Sequence, residues 1–247
     1  MDRCVTVNRK PEKSRTMKKR HNIATVALCF GLAVTGCTDR SDEWSSEDAQ
    51  MQLDSVRTSM NTALDNAGDQ IADIQESINA TGDEMSDEWK ETVADLKNER
   101  DAISTELAEL KAESHDQFEE AQSDLEMRMN DLDSRIVKAR LESVEARDEF
   151  LMAVDRQMNA IDDQIDKLQA KADNASGDAA EQYDETIADL REQRDELRSE
   201  WNDLMNASEE EYRDAREDLA EAVATLDRKI GQAAQNMKEK MQDMMNA

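Results

Sequence analysis

Apolar residues recur at alternating intervals of three and four along most of this chain. Leu53, Val56, Met60, Ala67, Ile71, Ile74 and Ile78 form one row. Trp89, Val93, Leu96, Ile103, Leu107 and Leu110 form a second, and Leu151, Val154, Met158, Ile161, Ile165 and Leu168 a third. Tyr183, Ile187, Leu190, Leu197, Trp201 and Leu204 form a fourth. A period of ~3.5 residues marks helices that pack through a narrow seam, and the positions between are almost all charged or polar. The alternation that strands require is absent. The pattern predicts an all-α, elongated fold of antiparallel coiled-coil hairpins or slender three-helix bundles.

Breaks in the pattern are few. Ala80-Thr81-Gly82-Asp83 and Asn174-Ala175-Ser176-Gly177-Asp178 join glycine to capping residues and predict turns. Ser208-Glu209-Glu210-Glu211 is a Ser-x-x-Glu capping box, with Ser114-His115-Asp116-Gln117 as its counterpart. Each serine either starts a helix or marks a bend. The expected helices are 47–80, 84–112, 115–173, 178–206 and 208–244. No breaker lies between Ser114 and Ala172, so a single helix of ~90 Å is expected there, linking the two halves.

The halves resemble each other. Asp87–Ile136 aligns without a gap on Glu181–Ile230, 94 residues later, with 16 identities in 50 positions. The matched pairs include Leu96/Leu190, Arg100/Arg194, Ser114/Ser208, Leu132/Leu226 and Ile136/Ile230, and Phe118 aligns with Tyr212. Two tandem helical units are expected, 47–140 and 141–234, followed by a Met-rich tail, 235–247. Such a period indicates a repeated helical module rather than an enzyme fold.

Composition agrees with long helices. The only proline is Pro11, and aromatic residues are 3% of 247. The low hydropathy and high charge also suit a disordered chain, and the periodicity decides for helix. Lys and Arg number 31 against 59 Asp and Glu, a net charge of −28. An acidic surface repels nucleic acid and anionic lipid headgroups, so no nucleic-acid partner is expected.

One segment breaks this polar habit. Met17–Cys37 has a basic start (Lys18, Lys19, Arg20), an apolar run over Ile23–Val34, and then Val34-Thr35-Gly36-Cys37. It resembles the export signal of bacterial lipoproteins, in which a small-residue site precedes a cysteine that is cut free and acylated. The apolar run is short of the ~20 residues needed to span a bilayer. The resemblance implies a signal peptide over 1–36, with translation starting at Met17 as an alternative, lipidation at Cys37, and a polar tether over 37–46. An uncleaved anchor helix and an ordinary signal cut elsewhere are the alternatives. The two other cysteines, Cys4 and Cys29, precede the cut. Eight basic and two acidic residues are also lost, leaving 23 against 57 and a net charge of −34. Thr38 follows the cysteine where an aspartate would favour inner-membrane retention. The expected location is the cell envelope, lipid-anchored and facing the periplasm, with the outer membrane favoured.

A second resemblance lies in residues 165–212. Gly177, Tyr183, Arg194-Asp195 and Leu204…Ala207-Ser208 follow the order of a glycine turn, an aromatic opening the next helix, a central Arg-Asp, and a Leu…Ala-Ser before the third helix. This is similar to small bacterial coiled-coil proteins, some of stress-response type, with apolipoprotein-like helical repeats. The resemblance implies a helical fold and supplies no catalytic residue.

Residues for chemistry are scarce. After the signal the only histidine is His115, which excludes the usual zinc sites and histidine-activated nucleophiles. Acidic pairs such as Asp162-Asp163 occur throughout, without the spacing of a calcium loop. No metal, cofactor, small-molecule substrate or enzymatic activity is expected. Arg100 and Arg194 occupy seam positions, where a polar residue either sets register or packs its stem and turns its head to a nearby acid. Met237, Met241, Met244 and Met245 either continue the last seam or offer an adaptable contact to another protein. The expected function is a membrane-anchored extracytoplasmic coiled-coil lipoprotein with a structural, spacer or envelope-stress role. Its partners are the membrane, through the lipid, and protein or self-association through the helical faces. The alternative is an amphipathic-helix module that binds lipid or a partner helix.

Overall fold

The computed structural model describes residues 46–80, 87–111, 114–175 and 178–246. Among the described residues it is all-helical and has no strand. The helices are α1 (Ser46–Ala80), α2 (Asp87–Glu109), α3 (His115–Glu142), α4 (Arg147–Ala172), α5 (Asp178–Asn206) and α6 (Glu209–Asn246). No described helix is long and apolar enough to cross a membrane. The predicted turns at 81–83 and at Ser176-Gly177 lie outside the described residues.

Each helix buries the row of apolar residues that its sequence displays. Met60, Ile71 and Ile74 of α1 meet Leu96, Ile103 and Leu107 of α2 and Leu132 and Ile136 of α3 in one core. Val154, Met158 and Ile161 of α4 meet Ile187 and Leu190 of α5 and Leu219, Val223 and Ile230 of α6 in another. Large side chains removed from water at ~25 cal/mol per Å2 of apolar area supply most of the drive to fold. The serines at 114 and 208 start helices rather than bend them. Ser114 Oγ accepts from the Gln117 amide, and Ser208 and Glu211 cap each other's backbone amides, at 2.8 Å (Ser208 N to Glu211) and 3.4 Å (Glu211 N to Ser208).

The expected continuous helix over 115–173 is not formed. The chain leaves helix after Glu142 and re-enters at Arg147, reversing direction through Ser143–Ala146. No glycine or proline is involved. Ser143 Oγ donates to the Arg140 carbonyl at 2.8 Å, and Ala146 is extended at φ −73°, ψ 123°. The reason is tertiary. Reversal places Leu141 and Phe150, both fully buried, in the second core, with the Phe150 ring edge-on to Tyr212 at 6.0 Å and 83°. Arg216 of α6 donates to the carbonyl of Glu142, filling an acceptor that the helix end exposes.

Arginines from neighbouring helices close two more helix ends in the same way. Arg57 of α1 donates to the carbonyls of Ala108 and Leu110 at the end of α2, at 3.2 and 2.8 Å. Arg147 of α4 donates to those of Leu204, Met205 and Ala207 at the end of α5, at 2.9, 3.2 and 2.8 Å. Neither α2 nor α5 has a basic residue in its own last turn, so the charge that suits a helix C-terminus comes from across the bundle.

Because the chain reverses at 143–146, α3 and α6 lie side by side along most of their length. Ser123 meets Gln235 and Glu239, Asn130 meets Gly231, and Lys138 meets Glu221. The numbers rise on one helix as they fall on the other, so the two are antiparallel. This is the most extensive helix pairing among the described residues.

Candidate functional site

The α3–α6 contact carries the densest polar network among the described residues. At one end Gln122 donates to Glu126 at 2.6 Å, and both are buried. Glu126 also takes Lys238 at 2.6 Å. The buried Gln235 donates to the Ser123 carbonyl and hydroxyl at 2.8 and 2.7 Å, while that hydroxyl donates to Glu239 at 2.7 Å. At the middle, Gly231 admits the Asn130 side chain so closely that a Cβ there would lie 2.8 Å from its Cγ. At the far end Lys138 reaches Glu221 at 2.6 Å, which lowers the Glu221 carboxyl's pKa and raises that of the lysine.

Two acids sit at the centre. Asp227 is buried, and Asp133 is half-buried with helices around it. Burial pushes Asp133 up to about 7, reinforced by the charge of Asp227 and opposed by Arg140. Burial likewise pushes Asp227 up to about 6, opposed by hydrogen bonding from Gln164, by the Arg140 charge and by hydrogen bonding from Gln157. Gln157 of α4 donates to Asp227 at 3.3 Å and accepts from Arg140 at 2.9 Å, tying three helices together. Arg140 is itself pulled below its usual value by burial. Two carboxyls and one guanidinium in a restricted space hold a proton near neutrality.

This cluster was not predicted. Asp133 and Asp227 look like members of a solvated acidic face. They align 94 residues apart as an identical pair, but so do the exposed Asp95/Asp189, Asp101/Asp195 and Asp124/Asp218, so the repeat alone does not mark them.

The predicted residues are placed as follows. Arg194 of α5, with its side chain 21% exposed, pairs with Asp162 of α4, which also takes Arg198 at 2.9 Å. Its Nε lies 2.8 Å from Asp195, within ion-pairing range but off the hydrogen-bonding direction. Arg100 of α2 bonds its neighbour Asp101 at 2.5 Å. The two arginines are thus brought to helix–helix seams, and not to each other. Met237 is buried in the second core and Met241 packs against it, so these two continue the seam. The side chains of Met244, Met245 and His115 lie outside the described residues, as do Val34, Thr35, Gly36, Cys37 and Thr38. Among the described residues no three His, Cys, Asp or Glu side chains converge as metal ligands would.

No protein-family model, curated protein or solved structure matches this chain.

Proposed function

We propose that this protein is an acylated, extracytoplasmic helical lipoprotein with a structural, spacer or envelope-stress role, anchored through Cys37. The observation that carries the reading is the basic, apolar, Val-Thr-Gly-Cys order of Met17–Cys37, followed at once by a polar, acidic chain. The membrane contact is the lipid, since an acidic surface gives anionic headgroups no attraction. Thr38 directs the anchored protein to the outer membrane. The partners are proteins or further copies that meet its helical faces.

The body of the protein is, in this reading, two tandem copies of one ~94-residue coiled-coil module of three helices. Equivalent contacts support it. Lys97 donates to Gln75 at 2.8 Å, and 94 residues on Arg191 donates to Gln169 at 3.1 Å. Ser114 and Ser208 both cap the helices that follow them. Separate cores formed by α1–α3 and by α4–α6 with the end of α3 agree with the division.

The test is intact mass and membrane fractionation after expression in a bacterium, beside Cys37→Ser. Cleavage before Cys37, added acyl mass and pelleting of the wild type alone are expected. Two soluble, uncut proteins would refute the anchored reading.

A further inference from the structure

The reversal at Ser143–Ala146 is built from residues that also suit a helix. Leu132, Ile136, Ala139, Ser143, Ala146 and Phe150 keep the alternating four-and-three spacing straight through it. Glu145 and Ala146 are exposed there, so no packed side chain prevents them from becoming helical. The contacts at the turn itself are few: the Glu142 carbonyl held by Arg216 and the Ser143 hydroxyl bond, while the meeting of Phe150 with Tyr212 joins α4 to α6 and does not depend on the turn. The same turn allows α3 and α6 of one chain to meet, and theirs is the most extensive helix pairing among the described residues.

We propose that the α3–α6 interface also forms between two copies of this chain, exchanged through the 143–146 hinge. In the exchanged dimer α3 and α4 run on as one helix. The α3 of each copy then pairs antiparallel with the α6 of the other. The α3–α6 contacts seen within one chain recur twice between chains, so the exchange sacrifices only the hinge contacts and gains backbone hydrogen bonds across 143–146. The partner is a second copy because the surface is already complementary to itself: Ser123 to Gln235, Asn130 to Gly231 and Lys138 to Glu221 satisfy each other whichever chain supplies them. The proposal does not depend on acylation.

The test uses full-length chains with Cys4, Cys29 and Cys37 all replaced by Ser, so lipid plays no part. One chain carries Ser123→Cys and the other Gln235→Cys. The two are mixed, unfolded, refolded together at high concentration and oxidised. A disulfide-linked heterodimer is expected. Ala146→Pro, which a φ of −73° accommodates in the turn but which breaks a continuous helix, should cut its yield at least about tenfold. Ser143→Ala, which favours helix and removes the turn's hydroxyl bond, should raise the dimerisation constant about fivefold. Absence of heterodimer, or a yield unmoved by Ala146→Pro, overturns the proposal. A chain carrying both cysteines should close on itself at low concentration, and failure to do so would overturn the α3–α6 pairing and the proposal with it.

Discussion

Arg194 reaches from α5 to the carboxylate of Asp162 on α4, whereas Arg100, 94 residues earlier, faces Gly68 where that carboxylate would stand. A Cβ on Gly68 would lie 2.8 Å from Nη1 of Arg100, the far end of a flexible side chain. The first half of the molecule therefore has the seam arginine without its cross-helix acid.

Gly68→Asp should supply that acid. A glycine inside a helix costs ~1 kcal/mol relative to alanine, and a partly exposed ion pair contributes up to about 1 kcal/mol. Thermal unfolding is expected to shift upward, with Gly68→Asn giving the helix share and the excess of Asp over Asn vanishing in an Arg100→Ala background. Asp162→Ala should destabilise by about 1 kcal/mol, since it leaves Arg194 and Arg198 facing each other. A response to Gly68→Asp that is the same with and without Arg100→Ala would show that Arg100 gains nothing from the new carboxylate.

Helices were legible wherever burial follows the seam. Met60, Leu96, Ile103, Val154 and Ile187 all lie where the spacing puts them, and the capping pair Ser208 and Glu211 marks a true start. The reversal at 143–146 was not legible, because the local sequence is helix-competent and the decision rests on contacts of α3 with Gln157 and Arg216, far apart in the chain. The α3–α6 network was hidden for a related reason. Gln122, Glu126, Gln157, Asp227 and Gln235 are buried only because another helix covers them, and a single helix pattern reads such residues as solvated.

Gly231 sets how closely α3 and α6 approach. Gly231→Leu must push Asn130 and its helix aside, at a cost of ~1–3 kcal/mol for an overpacked contact. The loss should appear as a lower melting temperature together with weaker oxidation of a Ser123→Cys, Gln235→Cys chain. An unchanged melting temperature would mean the helices separate there without cost.

Charge should make the fold salt-sensitive. With 59 acids against 31 bases, carboxylates outnumber the cations available to pair with them. Exposed pairs such as Lys90–Asp87 weaken as salt screens them, but so does the larger self-repulsion. The melting temperature is expected to rise between about 0.02 and about 0.5 M sodium chloride. A fall would show that cross-helix ion pairs outweigh the repulsion.

The Asp133–Asp227 pair should make stability depend on pH in the direction opposite to ordinary acid denaturation. Both carboxyls lie above their usual value of 3.8, at about 7 and about 6, chiefly through burial. Each therefore contributes stability that is fully present below pH 3.8 and lost as pH rises through about 6 and about 7. Glu142, raised by burial, acts in the same sense. Glu221 and Glu211 are lowered, the first by Lys138 and the second by Ser208, so their contribution is lost only as pH falls through values below 4.5. Between about pH 8 and about pH 5.5 the raised group dominates, and stability should increase on acidification by on the order of 1–2 kcal/mol. Asp227→Asn removes the charge while keeping an acceptor for Gln157, and should raise stability at about pH 8 and flatten the profile. Asp133 keeps its own burial in that variant, so the discriminating chain carries Asp133→Asn with Asp227→Asn: relief of the general negative charge persists there, and a slope that survives the double change would assign the effect to the whole surface and not to this pair.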